Sequence, residues 1–256
     1  MSWLDLPLWF TILGMEIVLA GLVIRGRVYK LLPIFSLYVA WVIVSDVGMM
    51  AVQRFFADIY NRVLVYEISL DALLQFGVLV ELAWSILRPI RSSLPRWTVL
   101  AISLLILAVG AALWPISGFT VMRNLTPEFH VLLRLLATFA IVRILFFVVL
   151  AAGSQMLSIS WRDRELQIAT GLGFYSLGSL VTSLLHAQMP QVAHYHTVDQ
   201  LMSASYLVSL VYWSVCMWQK EAPRQEFSPQ MQSFLLTVSG TARAGRVALQ
   251  DGNRRR

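Results

Sequence analysis

The chain has 256 residues and a formal charge of +6, and it is 58% hydrophobic with only 13% charged residues. Soluble domains carry roughly a quarter of their residues as Asp, Glu, Lys and Arg, so this composition excludes a soluble globular protein and points to the lipid bilayer. The single cysteine, Cys216, excludes an internal disulfide.

Seven apolar runs follow one another at 6–24, 31–52, 63–87, 97–119, 129–152, 166–187 and 197–218. Each comes near the ~20 residues that a hydrocarbon core of about 30 Å demands of a helix. The expected fold is therefore all-α, a polytopic bundle of seven transmembrane helices over residues 1–219, with a cytoplasmic tail over 220–256.

The opening residues, MSWLDLP, carry Asp5 and no positive charge, so the first span is expected to be kept as a helix and not removed as a signal peptide. That span carries Glu16, and the second opens at Pro33 and carries Asp46. Span three is the most acidic. Glu67, Asp71 and Glu81 fall within about 80° of one another on a helix, with Gln75 at the margin of the same stripe. Such a face cannot meet lipid. Span four is uncharged and has Pro115 near its end, while span five brings two cations, Arg134 and Arg143. In span six, Gly171, Gly173 and Gly178 are suited to close helix packing. Trp3, Trp9, Tyr60, Trp97, Trp114, Trp213 and Trp218 fall near span ends, as an interfacial belt would.

The cations give the orientation. Arg25, Arg27 and Lys30, then Arg88, Arg91 and Arg96, then Arg162 and Arg164, and finally the tail lie on one side. The other side has only Arg54, Arg62 and Arg123. The positive-inside rule then puts the N-terminus outside and the C-terminus in the cytoplasm, making this a multi-pass protein of the cell membrane. The same asymmetry, met by anionic headgroups of the bilayer, accounts for the basic balance without nucleic acid. In the tail, Ser228 and Pro229 read as a helix start, and Met231, Phe234, Leu235, Val238, Ala242 and Leu249 share one face of an amphipathic surface helix over about 229–249.

Charges inside the spans mark where function would sit. Counted by depth, Glu67 and Arg134 stand about 10 Å outside the midplane and form the first candidate ion pair. Arg143 is expected in an interior network with Asp71, Glu81, Asp46 and Glu16. All four histidines fall on the outer side, and His130, His186, His194 and His196 with Asp199 are candidate metal ligands, although their spacing is not that of a known metal motif.

These features suggest a receptor or sensor that binds a small-molecule ligand or a proton in its outer half and contacts a cytoplasmic protein partner. A secondary transporter or proton-coupled carrier is the alternative, and a metal-dependent membrane enzyme at the histidines is the third. No catalytic motif is present and no cofactor is expected. Lys30 and Lys220 are the only lysines and both lie outside the spans, so retinal has no residue for a Schiff base. Span three ends in LRPIR and span seven reads SASYLVSLVYW, which lack the charged triplet and the Asn-Pro-x-x-Tyr pattern of G-protein-coupled receptors.

Overall fold

A computed structural model of the chain describes residues 5–87, 95, 97–118, 127–153, 163–188 and 195–219. Among these residues there are seven long helices: α1 (Asp5–Arg25), α2 (Pro33–Phe55), α3 (Tyr60–Ile86), α4 (Thr98–Ser117), α5 (Pro127–Gly153), α6 (Arg164–Gln188) and α7 (Tyr195–Trp218). All seven are long and apolar enough to cross a membrane, with mean hydropathy from 1.4 to 2.6. The expected tail helix at 229–249 lies outside the described residues.

Local chemistry sets the boundaries. Pro33 occupies the first turn of α2, where its missing N–H costs nothing. Between α1 and α2 the chain turns through Arg27, the only non-glycine residue with positive φ among those described, and a 3-10 turn at Val28–Lys30. A second 3-10 turn, Ala57–Ile59, joins α2 to α3.

Helices adjacent in sequence pack side by side, and α1 packs on α7, which closes the bundle into a ring. Helix α3 also reaches α5 and α6 across the interior, whereas α4 stands outside, against α5 and the edge of α3. None of the apolar stretch of α4 is buried. The polarity of the bundle is inverted relative to a soluble protein: Glu16 is 1% exposed, while Phe10 is 57% and Leu105 65% exposed. A surface this apolar is suited to acyl chains.

The two halves of the bundle differ in packing. At the end away from the N-terminus, Phe35 and Trp213 meet edge to face with centroids 5.7 Å apart, within a core that includes Leu19, Leu82, Leu172 and Leu210. Trp213 does not join an interfacial belt as its sequence position suggests. It is buried because Gly171 makes room for it: a Cβ there would overlap the Trp213 indole. The indole N–H donates to the carbonyl of Ile168 at 3.3 Å. Gly178 meets Ser205 and Gly173 meets Phe147 in the same manner, so the glycines of α6 are packing positions.

Candidate functional site

Two of the intramembrane charges, one expected in the interior network and one in an ion pair, serve instead to cap helices. Glu81 of α3 accepts the backbone N–H of Ile34 on one carboxylate oxygen and that of Phe35 on the other, each at 2.8 Å. These are the first amides of α2 that need a partner after Pro33, and the negative charge matches the positive end of the α2 dipole. Gly77 permits the approach, since Ile34 would lie only 3.0 Å from a Cβ there.

Arg134 caps α4 with the opposite sign. Its Nε–H donates to the carbonyl of Trp114 at 3.0 Å, and its guanidinium lies 5.0 Å over the Trp114 ring. Trp114 belongs to the last turn of α4, where carbonyls lack helical partners and the dipole favours a cation. The expected Glu67–Arg134 ion pair is therefore not formed. Glu67 turns to α2 and accepts the hydroxyl of Ser45 at 2.8 Å. Depth matched the two residues, but the face of α5 that carries Arg134 looks at α4. Arg164 follows the same logic at the other end of the bundle, donating to the carbonyls of Cys216 at 2.6 Å and Gln219 at 2.8 Å where α7 stops.

The remaining acids of α2 and α3 share one cavity. Asp46, Glu67 and Asp71 line a cavity of about 300 Å³ in the half of the bundle that holds the N-terminus, enclosed by α1, α2, α3, α6 and α7. The acidic stripe of α3 thus exists and faces α2 along its length: Glu67 to Ser45, Gln75 to Tyr38, Glu81 to the start of α2. Gln75 forms the floor. Its amide nitrogen donates to Asp71 Oδ2 at 2.6 Å and to the Tyr38 hydroxyl at 3.3 Å, while its amide oxygen accepts Arg143 Nη1. Arg143, 4% exposed, also lies 5.5 Å from the centre of the Tyr175 ring. Asp71 and Arg143 are in this way joined through an amide.

Glu16 stands behind the cavity wall. One carboxylate oxygen accepts the hydroxyl of Tyr206, a lining residue, at 2.8 Å, and the other is buried with no hydrogen-bond partner among the described residues. The indole nitrogen of Trp41, also on the wall, is buried and unpartnered in the same sense.

Mid-span aromatic residues are what sequence reasoning missed here. Tyr38, Trp41, Tyr175 and Tyr206 line the cavity with the carboxylates, and Trp9, assigned to the interfacial belt, lines it too. The available signal was depth: an aromatic residue with a polar atom, placed far from either interface, needs a polar partner in the bundle.

Of the histidine set, His130 is half-buried on α5, and the side chains of His186, His194, His196 and Asp199 lie outside those described. Among the described residues no three His, Cys, Asp or Glu side chains converge as metal ligands. Comparison with protein-family models, with curated proteins and with solved structures finds no match for this chain.

Proposed function

We propose that the chain is a receptor or sensor of the cell membrane, with its N-terminus outside and its C-terminus in the cytoplasm, which binds a small ligand in the cavity. A cytoplasmic protein partner would read the bound state from the loops and tail. One observation carries this reading: among the described residues the bundle has a polar cavity in one half and a closely packed polar seam in the other. At the packed end Ser85 donates to Glu165 at 2.6 Å and Arg164 holds the end of α7, all three side chains being buried. What a ligand in the cavity can change is the packing of α3, α6 and α7 on the other side. The clustering of cations at that packed end supports the orientation.

Cysteine accessibility in intact cells tests the reading. With Cys216 replaced by Ala, a cysteine at Ser203 on the cavity wall should react with a membrane-impermeant thiol reagent added outside, and one at Ser85 should react from neither side. Reaction of Ser203→Cys from the cytoplasmic face alone would invert the topology. Cytoplasmic reaction at Ser85→Cys that rises as the cavity fills would replace the receptor with an alternating-access carrier.

A further inference from the structure

The cavity has a charge and a wall chemistry that select among ligands. Asp46, Glu67 and Asp71 are three carboxylates, and the one guanidinium near them among the described residues, Arg143, is already engaged by Gln75 and the Tyr175 ring. Asp71 takes a hydrogen bond from Gln75, and Glu67 takes one from Ser45. Asp46 opens on the cavity, accepts no hydrogen bond from any described residue, and has Glu67, Asp71 and Glu16 as its charged neighbours. Glu16 behind it keeps a second carboxylate oxygen that is buried and has no hydrogen-bond partner among the described residues. The site is therefore deficient in positive charge.

The carboxylates do not converge on a point. No three of them, with or without His or Cys, stand close enough among the described residues to share a metal ion. Aromatic side chains line the same cavity, with Trp41 on α2, Tyr175 on α6 and Tyr206 on α7, the last two in edge-to-face contact with ring centroids 5.3 Å apart. Carboxylates and aromatic side chains lining one cavity are the environment of a cation that carries its own apolar surface: the ring quadrupoles attract the charge and the rings cover the carbon groups. The volume, about 300 Å³, is at the small end of ligand sites.

We infer that this cavity binds a small organic ammonium ion, a protonated or quaternary nitrogen bearing short apolar groups, with Asp46 as its counter-ion and Trp41, Tyr175 and Tyr206 as its enclosing walls. The inference rests on the proposed role of the cavity as the ligand site and adds the class of ligand. Asp71 and Gln75 set the depth to which the nitrogen can descend, because below them the guanidinium of Arg143 repels it.

Three probes of nearly one shape test this on the purified full chain in nanodiscs: choline, its uncharged carbon isostere 3,3-dimethylbutanol, and the anion 3,3-dimethylbutyrate. Binding is read by tryptophan fluorescence, since Trp9 and Trp41 line the site, and by the rise in unfolding temperature. Choline should bind at least about tenfold more tightly than the neutral isostere, as expected for a desolvated cation against π faces and a carboxylate. Asp46→Asn should remove that preference and Asp46→Glu should retain it. Asp58→Asn, which changes the same charge at an exposed position, should leave it intact. Tighter binding of the alcohol or the anion, lost in Ser203→Trp, overturns the ammonium and keeps the cavity as a ligand site. Choline binding that survives both Asp46→Asn and Ser203→Trp overturns the assignment by placing the amine elsewhere. Absence of binding by all three probes, with the unliganded unfolding temperature unchanged by Ser203→Trp, overturns the cavity as a ligand site as well.

Discussion

Tyr206 donates its hydroxyl proton to Glu16 at 2.8 Å, so a residue of the last helix satisfies the acid buried in the first. The ring of helices is closed by a polar contact as well as by packing. Tyr206→Phe leaves Glu16 with neither oxygen paired, and should lower stability by about 1–3 kcal/mol, the usual cost of an unsatisfied buried acceptor. Replacing both, Glu16→Leu with Tyr206→Phe, should cost less than Tyr206→Phe alone. Reversible unfolding of the four proteins of this cycle in mixed micelles measures the coupling.

Loss of the Glu81 cap should act on one place. Glu81→Gln retains one acceptor for the amides of Ile34 and Phe35 but turns an N–H donor toward the other, and should destabilise by about 0.5–2 kcal/mol, the range of an N-cap replacement. Hydrogen exchange resolved to the first turn of α2 should speed up there and stay unchanged in α5. Uniform acceleration across the bundle would mean that Glu81 does more than cap.

Gly171 and Gly48 provide a matched pair. Alanine at Gly171 drives a methyl into the Trp213 indole, while alanine at Gly48 meets nothing within 4 Å. Gly171→Ala should cost about 1–3 kcal/mol, and Gly48→Ala should be near neutral. Thermal unfolding monitored by tryptophan fluorescence distinguishes them, and equal effects would show that Trp213 is not seated against α6.

Arg143 is the cation whose removal should matter most. Arg143→Met strands Asp71 and releases the amide oxygen of Gln75, so a loss of about 3–5 kcal/mol is expected, as for breaking one side of a buried pair. Adding Asp71→Asn should recover part of it. Arg143→Lys should recover less than the double change, because an ammonium lacks the planar fork that meets both Gln75 and the Tyr175 face. The comparison is made by chemical or thermal unfolding of the three variants.

Seven helices were legible because a bilayer allows few solutions: a run of about 20 apolar residues has to span it, and Pro33 announces a start whatever the neighbours. The acidic stripe was legible for the same kind of reason, since Glu67, Asp71 and Glu81 share a face by helix geometry alone. Their partners were not. Matching acids to arginines by depth assumed that a buried charge wants an opposite side chain, whereas Glu81 and Arg134 are satisfied by helix ends and Glu67 by a hydroxyl. A helix terminus carries about half an elementary charge without any charged residue, and a sequence does not say which helix end a side chain will meet. The role of Gln75 was hidden similarly, because it joins Asp71 of its own helix to a guanidinium only once α5 is packed against α3.

The contact between Glu16 and Tyr206 also has a consequence for how the protein is made. The two residues are 190 positions apart. At about 5–20 residues per second, synthesis delivers Tyr206 roughly 10 to 40 s after Glu16. During that interval the first three helices have been threaded into the membrane with Glu16 still waiting for its hydroxyl and Asp71 for the arginine of α5. The nascent acidic helices must therefore be sheltered by the insertion machinery, or kept near its water-filled passage, until the last helix arrives. Stalling the ribosome before α7 emerges should leave these helices in contact with that machinery, and release into lipid should coincide with the arrival of Tyr206.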